Sequence, residues 1–428
     1  MRALLVPRRS IVLARKLART INLRARSIRP PRLGQAPFDR QLNVGIIGAG
    51  IAGLVAARLL VDRGFDVTIF EARDRVGGRI HTIRNMGSPP QAADAGATRF
   101  SDSQLLTLFW LKRFNIPIMP MYPESGRLVR LFDLDRQVGR NIACQSTHQI
   151  HRLINQPDDW DLQYRSITMT AAEFIGNSLT MPTWYRVQGG ASLLPEALSA
   201  TLESCLRLSS AVTSITQNSH SVEITSGKSK FTFDRVVVTA PVSVYDRIDF
   251  SPCLPSYKLR HLQNLQTQPS LRVFVTLRER PWQSGGVCGF GCTDQGIQVW
   301  NLSDGTRSSN NMFVLYAQGD AARPMIAMST QERESQMLAI LDAMFPGIRS
   351  AVSGVHSHCW DDDPWAKGAQ SLGRENACKE LGDSFGRLHF AGEATAERGW
   401  VDGAISSAYR VVNEICNRLS AKAEISIH

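Results

Sequence analysis

The stretch that most limits what this chain can fold into is "NVGIIGAGIAGLVAARLLVDRGFDVTIFEARDRVGGR", residues 43–79. Residues 43–48 are a short apolar run of the kind a buried strand shows. Residues 51–63 place Ile51, Leu54, Val55, Leu59 and Leu60 on one helical face, and Gly64 supplies a C-terminal stop. Residues 66–70 predict the next strand, so the stretch reads as one βαβ unit of a parallel sheet. Between the first strand and the helix stands GxGxxG, Gly48-Ala49-Gly50-Ile51-Ala52-Gly53. Gly48 allows the tight turn, Gly50 lets a pyrophosphate approach the backbone, and Gly53 lets the helix pack closely on the strand. The free N–H groups at the helix start suit phosphate. Glu71, ending the second strand, can accept hydrogen bonds from ribose hydroxyls. The unit predicts a bound dinucleotide.

The rest of the chain interrupts this fold twice. Residues 101–180 show mixed helical patterns such as QLLTLFWLKRF and MTAAEFIGNSL. Short strands follow over 206–241 and end in RVVVTAP, an apolar buried strand running into a proline turn. Residues 270–277, SLRVFVTL, alternate like a half-buried strand, and 331–345 form an amphipathic helix starting from Thr330. The end of the chain reads strand, loop, helix. The expected architecture is α/β: a Rossmann-type domain assembled from 41–100, 186–245 and 356–420, with an inserted α+β substrate domain from 101–185 and 246–355. At 428 residues the chain is long enough for both.

The net charge of +11 is a local property. Residues 1–38 hold nine Arg, one Lys and no acid, which leaves +1 for everything after them. The folded part is close to neutral, so the charge does not point to nucleic acid. The leader fits either a mitochondrial transit peptide or an inert basic tail, and an export reading lacks an apolar h-region. Location is thus cytoplasmic, or mitochondrial if residues 1–40 are a transit peptide. The eight cysteines are scattered without a CxxC pair, which suits a reduced compartment. No run approaches 18 apolar residues, so no transmembrane helix is expected. The sequence sets no oligomeric state.

The nine residues Glu71-Ala72-Arg73-Asp74-Arg75-Val76-Gly77-Gly78-Arg79 add a second glycine turn and a planar guanidinium able to reach a diphosphate. This "EARDRVGGR" segment resembles that of the flavin-containing amine oxidase superfamily, which includes monoamine, polyamine and L-amino acid oxidases. The resemblance runs from about 43 to 417: VQGGASLLPEAL (187–198), AVTSITQNSHSVEIT (211–225), RVVVTAP and FAGEAT (390–395) all have counterparts. It implies FAD. Around the diphosphate and ribose it implies Gly48, Gly50, Ile51, Ala52, Gly53, Glu71, Ala72 and Arg73. Gly78, Arg79, Gly96, Ala97 and Thr98 follow, with Val212 at the adenine and Gly392, Glu393, Trp400 and Val401 near the flavin.

Five positions bear on the flavin face and the substrate in the same implied frame. Trp400 matches the aromatic wall beside the flavin. Ala369, in WAKGAQS, falls where covalent-flavin monoamine oxidases carry the attaching Cys, so the FAD is expected to be non-covalent. Gln370 replaces the second aromatic of the paired cage. Arg99, in DAGATRF, resembles the arginine that clamps a substrate α-carboxylate, against the alternative of a surface or phosphate-facing side chain. Arg272 stands where the family usually has a Lys, and a guanidinium cannot act as a base. The catalytic candidates are therefore Arg272, Gln370 and Trp400, with Arg99 and Trp400 binding substrate.

His356, His358 and Cys359 alternate on a strand, which accounts for them better than a metal site needing four ligands at recognisable spacing. Ser-His-Asp, P-loop and basic-aromatic nucleic-acid patterns are missing. The first expectation is hydride transfer from an amine or L-amino acid to FAD, giving an imine and, with O2, H2O2. The alternatives are a desaturase or dehydrogenase on a larger apolar substrate with another acceptor, and a non-catalytic flavoprotein.

Overall fold

The computed structural model describes residues 42–87, 90–122, 127–144, 150, 154, 182–302, 311–373 and 377–425. Residues 1–40 and the MTAAEFIGNSL segment lie outside them.

The glycine unit forms as expected. Strand Asn43–Ile47 leads into helix Ile51–Val61 and strand Asp66–Phe70. A Schellman motif ends the helix: Gly64 N–H donates to Val61 O (3.0 Å) and Phe65 N–H to Leu60 O (3.2 Å), with Gly64 at φ +81°. The helix is buried nearly all round because the parallel sheet takes one side and helix Trp400–Ile425 the other. The sheet has five parallel strands in the order Leu206–Arg207, Asp66–Phe70, Asn43–Ile47, Arg235–Val238, Leu388–Phe390. A smaller sheet holds the meander Val212–Gln217, Val222–Ser226 and Ser229–Phe233, with Asp249–Ser251 at its edge. Phe231 and Phe233 from this meander meet Phe70 edge-on, with ring centroids 5.0 and 6.0 Å away.

A second, seven-stranded sheet runs Val352–Cys359, Ser270–Leu277, Met312–Gln318, Gln298–Asn301, Phe290–Thr293, Arg127–Asp133, Val138–Cys144. The expected boundary at 356 therefore falls inside a strand of this sheet. Helix Thr330–Met344 covers one face and starts from a capping box between Ser329 and Glu332. Strand Ser270–Leu277 corrects its sequence reading, since all eight residues are buried rather than half. Leu271, Val273, Val275 and Leu277 enter the core under that helix. On the other side Arg272 and Thr276 meet residues 87–98 of the glycine-rich unit, and Phe274 joins the core that holds Met86, Ala93 and Ala95. Docking of the second sheet against the first unit, which a single strand's alternation cannot reveal, closes that face.

Candidate active site

The glycines set one wall. Gly48 has φ +105°, and Thr239 Oγ1 spans the turn by donating toward Ile47 O (2.9 Å) and Gly48 O (3.0 Å). A Cβ on Gly53 would lie 2.0 Å from Gly48 O, which is the close helix–strand contact its motif position requires. At Gly50 nothing lies within 4 Å of where a Cβ would stand, so the helix start faces open space. Glu71 is buried; its Oε2 accepts from Ala49 N–H (2.7 Å) and its Oε1 from Arg73 N–H (3.0 Å). Arg73 in turn donates to Asp363 Oδ1 at 2.6 Å. Gly77 and Gly78 take left-handed backbone, and Gly77 N–H donates to Ala49 O at 2.9 Å, bringing the second glycine loop onto the first.

Glu393 ties distant segments together. Its Oε1 accepts from Arg79 Nη1 (2.8 Å), Ser371 N–H (3.0 Å) and Ser371 Oγ (2.7 Å). Burial pushes this carboxyl up, but Arg79 and the two Ser371 donors outweigh burial and hold it below the usual range. Its Oε2 is buried without a partner. An oxygen left so is a place for a donor from a ligand, and FAD brings ribityl and ribose hydroxyls. The open helix start and this oxygen together fit FAD.

The second sheet, strand Arg99–Ser101 and the start of helix Trp400–Ile425 supply the opposite wall. Arg272 is 8% exposed, and its Nη1 donates to Asp94 O (2.5 Å), Gly96 O (2.5 Å) and Thr98 Oγ1. Burial lowers its affinity for its proton, yet a guanidinium stays charged. Its Cζ stands 4.6 Å from the Tyr316 ring centroid. Arg99, half-buried on strand Arg99–Ser101, donates from Nη1 to Tyr122 Oη (3.0 Å) and Gln298 Oε1 (3.3 Å). Trp400 holds a left-handed backbone, φ +69°, and is 48% exposed. Behind it Gly403 sits where a Cβ would lie 1.5 Å from Arg398 O. Trp184, which the sequence reading did not single out, stands 5.6 Å from Trp400 ring to ring. It provides an aromatic neighbour that the Gln370 position does not.

One cavity collects the candidate site residues. Every cofactor, substrate and catalytic candidate named from the sequence lines it except Gly53, whose role is packing, while Trp184, Tyr122 and Gln298 stand outside its lining. It is also lined by Trp360, Tyr316, Gln318, Gln268 and Thr239, which the sequence reading missed. Trp360 directly follows the strand of His356, His358 and Cys359, and Thr239 lies inside RVVVTAP, so both adjoin or fall within noted signals. Tyr316 and Gln318 enter only through pairing, opposite Arg272 and Ser270. Among the described residues no group of three potential metal ligands is present.

Comparison with known proteins decides the family. The family model described as flavin containing amine oxidoreductase matches residues 51–164 and 158–416. The chain belongs to this family. Like its other members it is an FAD-dependent oxidoreductase, and its chemistry is amine or amino acid oxidation. It is 26% identical to an L-amino-acid oxidase of Siganus canaliculatus, over 87% of this chain and 85% of that protein. It is also 26% identical to an L-amino-acid oxidase of Mus musculus, over 90% of this chain and 72% of that protein. The solved structure of wild-type putrescine oxidase bound to putrescine shares the fold, with a TM-score of 0.71, 20% identity and coverage of 88% of this chain and 99% of that one. Among the described residues no helix is long and apolar enough to cross a membrane.

Proposed function

We propose that this family member oxidises α-amino acids, with Arg99 holding the substrate carboxylate. The observation that carries this reading is Arg99 itself. Its guanidinium lines the cavity, and its hydrogen bonds go to a phenol and an amide, with no acid partner among the described residues. A half-buried cation so placed favours a carboxylate, which a guanidinium can bind through two parallel hydrogen bonds. The two relatives named as L-amino-acid oxidases support the same reading.

When bound, FAD supplies the hydride acceptor. Gly48, Gly50, Ile51, Ala52, Gly78 and Arg79 are assigned to its diphosphate, Glu71, Ala72 and Arg73 to the ribose side, and Val212 to the adenine. Gly96, Ala97, Thr98, Gly392, Glu393 and Val401 are assigned along the flavin. Ala369 offers no attachment group, so the cofactor is held without a covalent bond. Arg99 orients the substrate, Trp400 walls its reacting carbon with Trp184 packed against it, and Gln370 lines the same cavity. The amine gives up its hydride in the neutral form, and the imine product hydrolyses to a keto acid and ammonia. With O2 as acceptor the second product is H2O2. A second acceptor reading rests on Arg272, which stays protonated and offers no base, and it puts a quinone or another acceptor in place of O2.

Anaerobic mixing of holoenzyme with panels of amines and amino acids tests the proposal through bleaching of the flavin absorbance. Amino acids are expected to bleach it, and a panel in which none does removes the reading. Acid precipitation is expected to release all the flavin. Comparing O2 with quinones as oxidants of the reduced enzyme then separates the two acceptor readings.

A further inference from the structure

Charge is balanced unevenly along the cavity. Glu71 has Arg73 beside it, and Glu393 has Arg79 at 2.8 Å. Arg99 and Arg272 have no acid within ion-pair distance among the described residues, and Arg99 acts on Arg272 as a like charge. The one carboxyl acting on Arg272, Asp94, is fully buried; it accepts from Thr82 Oγ1 (2.6 Å) and Ala191 N–H (2.8 Å). Burial pushes that carboxyl up, against the opposing pull of its Thr82 and Ala191 donors and of Arg272. Arg272 Nε is buried without a partner.

Polar side chains run between the two arginines. Gln298, which accepts from Arg99, lies opposite Tyr316 in the sheet, and Tyr316 lies opposite Arg272. Tyr316 Oη donates to Gln318 Oε1 at 2.7 Å, and Gln370 lines the same cavity. An apolar substrate side chain would leave the Arg272 Nε unpartnered and the two like charges unrelieved. A diamine would add a third cation to them. A second anionic group answers both, because a buried cation without a partner is costly and pairing removes that cost.

We infer that the preferred substrate is an amino acid whose side chain is itself acidic, read by Arg272 while Arg99 holds the α-carboxylate. The inference rests on the amino acid reading proposed above.

The test uses inert acids on the holoenzyme. Glutarate and its monoamide have the same length and shape, as do succinate and its monoamide, and each pair differs by one charge. Binding is read as a perturbation of the flavin absorbance or of tryptophan fluorescence. In the pair whose length fits, the diacid is expected to bind at least about tenfold more tightly than its monoamide, with the gap narrowing as salt is raised. R272Q is expected to erase the gap while keeping monoamide binding, and R99M to weaken both ligands. Arg272 also pins residues 94–98, so if R272Q fails to retain FAD the wild-type comparison decides alone. Equal binding of diacid and monoamide at both lengths overturns the inference and leaves the amino acid reading standing. Binding of neither kind overturns both.

Discussion

The glycine-rich wall and the seven-stranded sheet's wall of the cavity handle charge in opposite ways. On the first, Glu71 and Glu393 each meet an arginine, and backbone N–H groups take up much of what remains. On the second, Arg272, and Arg99 reaching across to it from strand Arg99–Ser101 of a separate three-stranded sheet, spend their hydrogen bonds on neutral oxygens. A self-neutralised wall suits a cofactor that stays in place through every turnover. An uncompensated wall suits a ligand that arrives, brings its own charge and leaves.

The comparison breaks most completely where the first wall has no room. G96A places a Cβ 1.7 Å from Arg79 O, a backbone clash that no side chain can relieve. A loss of more than about 4 kcal/mol is expected, with protein that is colourless or insoluble, read from the ratio of flavin to protein absorbance after gel filtration. E393Q is milder. It leaves Arg79 facing a neutral amide, and FAD is expected to bind about 100-fold more weakly, measured by flavin fluorescence released on dilution. If E393Q holds FAD as tightly as the wild type, charge pairing is not what secures the first wall.

The second wall is sharpened by R99M. Affinity for carboxylate ligands is expected to fall about 100-fold, with bound FAD unchanged. A parallel loss of FAD would show that Arg99 supports the fold rather than the ligand.

The smallest effect expected is on acid stability. His81 and His358 stand 5.8 Å apart ring to ring beside Trp360. Burial first, then neighbouring arginines, lowers both to about 4. The unfolded chain binds these protons near pH 6.5 and the folded one only near 4, so stability is complete above 6.5 and falls as pH drops toward 4. A Tm profile over that window should decline, and H358F should flatten it. A profile unchanged by H358F would exclude His358 as a source of the decline.

The βαβ unit was legible because each part of it is local. Strand, glycine turn, helix, Schellman stop and acid lie within about thirty residues, and each obeys a short-range rule. The FAD-facing segments were legible for a related reason: close approach to a backbone needs glycine, and glycine shows in the sequence. The second wall was only half legible. Arg99 and Arg272 could be picked out by resemblance, but Tyr316, Gln318 and Trp184 carried no signal, because a residue becomes a neighbour through strand pairing that the local pattern does not encode.

By itself, then, the sequence determined the nucleotide fold and the flavin cofactor, and it named candidate positions that the fold gathers around one cavity. Tertiary structure alone decided which charges cancel. Arg79 meets Glu393 across 314 residues and Arg73 meets Asp363 across 290, while among the described residues Arg99 and Arg272 have no acid within ion-pair distance. Composition counts charges without placing them. Electrostatic energy depends on separation and burial, and those exist only once the second sheet has closed over residues 87–98 and buried the whole of strand Ser270–Leu277.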